Sequence, residues 1–427
     1  MLKVIIREAK LGATLAKYPQ VYLNRRQTAA VQESSAAKVG AVDWATSLLW
    51  FTKNDLDLHQ NTSQVVNVVD IEKSKGNYVA DADGNRMLDL CSAELNPLGY
   101  NHALFQNLVS AAETDAAVIN SFSAGASASV GFADLVKDTM GPMAPARDLG
   151  VTLVDSQNAT TAAVKDAILQ RSGTDHGWSA LYFDGSSHGS PLTLGGMICG
   201  WPKASYPSSA DEESQILEQV RATLGEKRET SSPIAAVVIE PTQQSTGYVA
   251  SDNFISTLKS IAEDFEAALV IDETNTGCGA SGKGFWQYQG PTADYVAFGK
   301  RTQVAGYFSQ SPTINLGGCE NDLRLLKAIH QGIQDNGLLE KVGQVSKVVA
   351  QRAQSLSVSG VTAARTSGTS LWLETDSAAT CTKLIAHMRN QGVLVQQNSA
   401  TGVVAKPALI FGEAQAAELF TALSKFK

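Results

Sequence analysis

Residues 267–273 read Ala-Ala-Leu-Val-Ile-Asp-Glu, a run of apolar residues followed at once by two acids. Similar apolar runs recur through the middle of the chain, at Val151–Val154, Ala180–Phe183, Ala235–Ile239 and Asp294–Phe298. Segments such as Thr160–Gln170 and Asp252–Phe265 lie between them and carry apolar residues at helical spacing. Because short apolar runs that alternate with helices are typical of βαβ units, the sequence predicts an α/β fold with a mostly parallel sheet.

Charged residues follow several of the predicted strands at the point where each strand ends. They are Asp184, Glu240, Asp272, Glu273 and Lys300. In open α/β sheets, ligands bind in the crevice outside the carboxyl ends of the strands. We therefore expect these side chains to converge on one crevice.

The composition indicates a folded protein rather than a disordered or membrane-spanning one. The chain has 427 residues, 44% of them hydrophobic and 18% charged, and this length predicts two or three domains. No run approaches the roughly 18 consecutive apolar residues of a membrane span, and a net charge of −8 argues against a nucleic-acid binder. The five scattered cysteines include no Cys-x-x-Cys pair, which predicts no zinc ribbon or disulfide framework and fits a reducing compartment.

The first forty residues differ from the rest of the chain in charge. Seven basic residues lie within residues 1–40, against two acidic ones, Glu8 and Glu33. A basic, acid-poor segment that contains alanine and serine is typical of a mitochondrial transit peptide. The alternative is a basic arm that lies on a partner or on the body of the protein.

After about Pro312 the pattern changes from alternating runs to longer helical segments with few strands, which predicts a smaller α+β domain. The predicted organisation has four parts: an N-terminal arm or partial transit peptide at 1–40, a segment packing with the small domain at 41–105, a large α/β domain at 106–312, and a small C-terminal domain at 313–427.

Asp272 and Lys300 stand 28 positions apart at the ends of two predicted strands. This pair suits pyridoxal phosphate (PLP), because a lysine forms its Schiff base and a carboxylate keeps the pyridine nitrogen protonated. The alternative is that Asp272 is a turn residue and that Lys300 and Arg301 are a surface pair.

Further motifs occur in a fixed order, at Gly76–Leu90, Gly99–His102, Gly185–Gly189, Val238–Pro241, Val270–Gly277, Phe298–Lys300 and Pro407–Leu409. Together they resemble the class III aminotransferases of the ornithine/4-aminobutyrate type, and the 4-aminobutyrate branch in particular. The resemblance implies PLP fold type I: a large domain with a seven-stranded sheet, a small domain, and a dimer with active sites at its interface.

The resemblance also implies roles for single residues. Lys300 matches the Schiff-base lysine, Asp272 the carboxylate at the pyridine nitrogen, and Glu240 the Glu-Pro strand end. The remaining matched cofactor positions are Ser156, Ser187, His188, Thr274 and Asn275, and we expect these and Lys300 to be vestigial if the site is degenerate. We predict no metal ligands.

Several matched positions depart from the family pattern on the phosphate and ring side. The phosphate stretch, Val154–Ala159, has lost its glycine and places the carboxylate of Asp155 where the phosphate lies. Ser187 replaces the aromatic residue that stacks on the ring. Ile314 replaces, in a poorly matching segment, the threonine donated across the dimer.

The positions that hold the substrate carboxylate depart as well. Ser190 and Val404 stand where this branch has arginines, and Ser245 stands near its acidic residue after Glu-Pro. Lys406 is close to Val404 in sequence but lacks the planar fork that binds a carboxylate with two parallel hydrogen bonds.

These departures favour a catalytically degenerate member of the family. Such a pseudoenzyme would bind no PLP, keep Lys300 and Asp272 as a structural salt bridge, and act as an accessory subunit of a mitochondrial (matrix) assembly, as a homodimer or with other subunits. The alternative is an active ω-amino-acid transaminase that passes the amino group to 2-oxoglutarate, supported by His188 and with Lys406 or Arg365 as carboxylate ligand. A small-molecule sensor is a third hypothesis.

Overall fold

The computed structural model describes residues 69–81, 83–105, 131–146, 148–154, 159–173, 177–186, 201–290, 293–311 and 320–427. The strands within these ranges are β1 (Val69–Lys75), β2 (Tyr78–Asp81), β3 (Arg86–Asp89), β4 (Gly150–Val154), β5 (Ser179–Phe183), β6 (Lys203–Ala204), β7 (Ile234–Ile239), β8 (Ala268–Asp272), β9 (Tyr295–Phe298), β10 (Ala305–Ser309), β11 (Val361–Ser367), β12 (Ser370–Thr375), β13 (Val393–Leu394), β14 (Gln396–Gln397) and β15 (Gly402–Ala405). The helices are α1 (Phe132–Met140), α2 (Ala159–Ser172), α3 (Glu213–Lys227), α4 (Asp252–Asp264), α5 (Glu320–Asp335), α6 (Leu338–Gln354), α7 (Ala378–Asn390) and α8 (Glu413–Ser424).

Seven of the described strands form the main sheet, in the order β4-β10-β9-β8-β7-β5-β6. The strands from β9 to β6 pair in parallel, whereas β10 pairs antiparallel with both β9 and β4. The α/β fold with a mostly parallel sheet is therefore confirmed.

Both faces of this sheet are covered. In β8, Leu269 and Ile271 join the buried cluster that contains α3 and α4, whereas Val270 joins the cluster under α2. Successive side chains of a strand point to opposite faces. This explains why the central strands read as continuous apolar runs rather than as alternating ones.

The C-terminal part has the smaller α+β architecture that the sequence predicts. Strands β11-β12-β15-β14 form an antiparallel sheet. Side chains of α6, α7 and α8 pack on it in one buried cluster. A third sheet, β1-β2-β3-β13, joins the N-terminal segment to this part, because β13 pairs in parallel with β3.

The three boundaries between the four predicted parts stay predictions. The N-terminal arm at 1–40 lies outside the described residues. In the ranges that the structure describes, no helix combines the length and apolar character needed to cross a membrane.

Candidate functional site

Asp272 is the last residue of β8, and its side chain is 1% exposed. Its Oδ1 accepts hydrogen bonds from the backbone N–H of Thr274 (2.9 Å) and from Thr274 Oγ1 (2.6 Å). The chain turns directly after the strand, and this turn places both Thr274 donors beside the carboxylate. The carboxylate is therefore held in a fixed place at the carboxyl end of the sheet.

Lys300 follows β9 in an unusual backbone conformation. Its φ is +55°, in the left-handed region that non-glycine residues seldom adopt. The conformation is held by the 3-10 turn Lys300–Thr302, because the backbone N–H of Gln303 (2.8 Å) and its Nε2 (2.9 Å) both donate to the carbonyl of Lys300. Such local strain persists where the surrounding structure enforces it, and it is frequent at functional sites.

A chain of side-chain hydrogen bonds links Lys300 to the neighbouring strand ends. Lys300 Nζ donates to Asn275 Oδ1, and Asn275 Nδ2 donates to Glu240 Oε1 at 3.3 Å. Glu240 is fully buried, and its Oε2 accepts from the backbone N–H of Gln244 at 3.0 Å. The strand ends of β7, β8 and β9 therefore converge, as the sequence predicts, whereas Asp184 after β5 forms an exposed ion pair with Lys203 instead.

The predicted salt bridge between Lys300 and Asp272 does not occur among the ion pairs of the described residues. The amide oxygen of Asn275 takes the ammonium group instead. The sequence could not reveal this, because Asn275 reaches the lysine only through the turn after β8.

Other predicted site residues lie outside the part of the chain that the structure describes. They are Ser156, Ser187 and His188, together with Asp155, Ser190 and Ile314. The structure brings together Asp272, Thr274, Asn275, Glu240 and Lys300.

An ion pair beside Lys300 was not predicted from the sequence. Lys406 Nζ lies 2.9 Å from Glu94 Oε1. Burial alone would raise the pKa of Glu94, but the charges of Lys300, Lys406 and Arg301 hold it below its ordinary value. Burial lowers the pKa of Lys406 despite Glu94. The sequence offers one sign of this ion pair, because Glu94 is the single charged residue in the stretch between Leu90 and Tyr100.

Strand β15 has an apolar residue, Val404, at the position where the family resemblance leads us to expect an arginine that binds the substrate carboxylate. Val404 lies in β15 and is completely buried. The loop with Ser245 is tied to the same sheet, because Asn398 Nδ2 donates to the carbonyl of Ser245 (2.7 Å) and Trp372 Nε1 to that of Gln244 (2.9 Å). Arg365, the other candidate carboxylate ligand, lies on β11 and pairs in register with Trp372 of β12, and its charge acts on Tyr248.

The described residues fit the ring end of PLP. A buried, anchored carboxylate (Asp272) and an amine (Lys300) stand at adjacent strand ends, which is the donor set that the ring nitrogen and the Schiff base need. The described residues hold no group of three or more His, Cys, Asp or Glu side chains that could bind a metal.

Known proteins resemble this chain over most of its length. It is 26% identical to the mitochondrial 4-aminobutyrate aminotransferase of Mus musculus, over 83% of this chain and 84% of that protein. Its identity to the Homo sapiens counterpart is 24%, with the same coverage. The lysine aminotransferase of M. tuberculosis superposes with a TM-score of 0.75 at 25% identity, covering 87% of this chain and 97% of that one. A Bacillus anthracis aminotransferase, at 16% identity and a TM-score of 0.72, shares the fold over 90% of this chain and 98% of its own.

The family model "Aminotransferase class-III" matches residues 59–426. The predicted resemblance, including that to the 4-aminobutyrate branch, is confirmed. The chain belongs to the class III aminotransferases, a family of PLP-dependent transaminases.

Proposed function

We propose that this chain is a non-catalytic member of the family, without bound PLP, that serves as a structural or accessory subunit of a mitochondrial assembly. One observation carries the loss of catalysis, whereas the absence of PLP rests on the sequence departures at Asp155 and Ser187. Val404 is completely buried where an arginine would hold the substrate carboxylate, and the nearby cation, Lys406, is ion-paired with Glu94.

An ω-amino acid needs charged donors to hold its carboxylate in the reacting position. A hydrogen bond to a charged group contributes about 1.5–3 kcal/mol, and Val404 supplies none. Ser245 adds no charge on the facing loop. A substrate would therefore lack the interactions that orient its amine toward Lys300.

Lys406 is a poor replacement for the missing arginine. It is 3% exposed, and its ammonium group already pairs with Glu94. A lysine also cannot form the two parallel hydrogen bonds of a guanidinium group with a carboxylate. To bind a substrate, Lys406 would first have to give up its partner inside the protein.

The family and the sequence support the proposed location and partners. Relatives in Mus musculus, Rattus norvegicus and Homo sapiens are named as mitochondrial, and residues 1–40 are basic and acid-poor. Class III aminotransferases are typically dimeric. We therefore propose a mitochondrial homodimer, alone or joined to other protein subunits.

The test combines a cofactor titration with a turnover assay. The purified full chain is titrated with PLP, and its absorbance spectrum is compared with that of Lys300→Ala. Transamination of 4-aminobutyrate with 2-oxoglutarate is assayed in parallel, with the Mus musculus enzyme as positive control. We expect no Lys300-dependent band and no turnover. A band that requires Lys300 would overturn the absence of PLP, and turnover would overturn the whole proposal.

The second candidate is an active ω-amino-acid transaminase, favoured by the fit of Asp272 and Lys300 to the ring end of PLP. PLP, when bound, supplies an electron sink that stabilises negative charge on the substrate carbon. Asp272 would hold a proton on the ring nitrogen, and Lys300 Nζ would move a proton to and from the substrate. A saturating rate that is abolished in Lys300→Ala would select this candidate.

A further inference from the structure

We propose that Glu94 is a built-in carboxylate ligand: its side chain occupies an anion site on Lys406 Nζ, and this site takes a small carboxylate anion once the Glu94 side chain is removed. This inference goes beyond the proposed function, because it concerns binding in the chain itself and holds whether or not the chain catalyses a reaction.

The two side chains of the Lys406–Glu94 ion pair are buried to different extents. Lys406 is the buried partner, with a side chain that is 4% exposed, whereas the Glu94 side chain is 29% exposed. The ammonium group therefore lies on the inner side, and the carboxylate covers it from the solvent side. A ligand that replaced Glu94 would enter along the same direction.

Positive charge exceeds negative charge around Glu94. The charges of Lys300, Lys406 and Arg301 all act on this one carboxylate. Of the other acids near Lys300, Glu240 bonds to Asn275 and Asp272 bonds to Thr274. The cluster therefore favours an anion at the place of the Glu94 carboxylate.

Arg301 retains unused hydrogen-bonding capacity. It is 2% exposed, and its Nη1 donates to the carbonyl of Pro407 at 3.2 Å. Within the described residues its buried Nε has no hydrogen-bond partner. A buried donor without a partner is uncommon, and Arg301 therefore keeps one charged N–H that is available to an added acceptor.

The backbone around Glu94 is held without its side chain. Gln303 Nε2 donates to the carbonyl of Glu94 at 2.8 Å, and the backbone N–H of Lys406 donates to the carbonyl of Leu90 at 2.7 Å. These bonds join the N-terminal segment, the turn after β9 and the end of β15. We therefore expect the site to persist when the carboxylate is deleted.

The expected ligand is a small carboxylate, because the Glu94 carboxylate occupies the site in the structure. A carboxylate oxygen sits 2.9 Å from Lys406 Nζ. Glu94→Ala removes one methylene and the carboxylate group, which together match the size of acetate, so the probe is acetate. Glu94→Gln keeps the room filled with a neutral amide and is the matched control.

The experiment measures thermal unfolding of the full chain in sodium acetate and in sodium chloride of equal ionic strength. We expect acetate to raise the melting temperature of Glu94→Ala by about 2 °C or more, with saturation. Wild type, Glu94→Gln and Glu94→Ala/Lys406→Met should show no difference between the two salts.

Two results would overturn the proposal: a folded Glu94→Ala that acetate does not stabilise beyond chloride, or an acetate effect that persists in Glu94→Ala/Lys406→Met. Should Glu94→Ala not fold in chloride, the refolding yield in each salt becomes the readout. Recovery in acetate supports the site, and equal failure in both salts contradicts it. Neither readout depends on PLP or on turnover, so the proposed function can fail independently.

Discussion

At the scale of single residues, Glu94 and Lys406 are buried to different extents, so replacing one should destabilise the protein more than replacing the other. Removing Glu94 leaves a buried ammonium group beside Lys300 and Arg301, whereas removing Lys406 leaves a carboxylate that still meets those two cations and some water. Losing one partner of a buried pair costs about 3–5 kcal/mol when the other stays charged and dry.

We therefore expect Glu94→Gln to lower the free energy of unfolding by about 3 kcal/mol, and Lys406→Met to lower it by less. Urea unfolding at neutral pH measures both, and the double variant Glu94→Gln/Lys406→Met shows how much of the loss comes from the partner left behind. If Lys406→Met were the more damaging change, the assignment of Lys406 as the dry side of the pair would be wrong.

Glu273 is the second residue with a distinct electrostatic signature. Burial raises its pKa from 4.5 to about 6, against the opposing hydrogen bonds from Thr276 Oγ1 and the backbone N–H of Tyr288. A raised carboxyl pKa favours the folded state below the unfolded pKa, and this contribution is lost as the pH rises through the folded value.

Glu273→Gln removes this titration. We expect the variant to gain about 2 kcal/mol in unfolding free energy relative to wild type between about pH 4 and pH 7.5. Urea titrations across this range measure the difference, with Glu229→Gln, on an exposed site, as the control. A difference that does not change with pH would contradict the raised pKa.

At the scale of elements, β10 shows where pattern reasoning fails. Its sequence, Ala305–Ser309, contains Gly306 and is not among the apolar runs from which the strands are predicted. In the structure, β10 is the antiparallel strand between β9 and β4, and a Cβ at Gly306 would clash with the carbonyl oxygen of Thr152 and meet the ring of Phe298 at 2.7 Å. Close packing therefore requires the glycine, and only the assembled sheet reveals this.

Gly306→Ala should accordingly destabilise the chain by about 1–3 kcal/mol through overpacking. The matched control is Gly150→Ala in β4, whose added carbon would meet Ser309 O at an ordinary 3.6 Å. Thermal unfolding should separate the two variants clearly. Equal melting temperatures would mean that the sheet relaxes around position 306 and that the glycine is not needed there.

At the scale of the whole molecule, residues far apart in sequence build the site and the frame around it. Glu94 and Lys406 are separated by 312 positions, and Tyr78 Oη donates to Glu418 Oε2 at 2.9 Å across 340 positions. The chain ends of the described fold are thus joined by polar contacts and by the β3–β13 pairing.

The basic segment at 1–40 is a candidate for contacts with a partner assembly. Deleting residues 1–40 should abolish co-purification of the chain with a mitochondrial assembly. A charge-neutral control replaces the seven basic residues with glutamine. Unchanged co-purification of the deleted form would contradict a role for the arm in assembly.

Local signals were sufficient for much of the fold. The apolar runs that became β4, β5, β7, β8 and β9 were visible because strands buried on both faces must be apolar throughout. Asp272, Glu240 and Lys300 were recognisable because parallel strands place their carboxyl ends at one edge. These properties depend on neighbours in sequence.

The sequence by itself thus determined the α/β class, the family and the residues at the strand ends. The tertiary structure alone decided which charges meet: Lys300 bonds to Asn275 rather than to Asp272, and Glu94 covers Lys406. The physical reason is range. The pattern of buried residues follows the local spacing of side chains along each helix or strand. An ion pair, in contrast, forms only where separate segments of the folded chain bring two charges within a few ångströms.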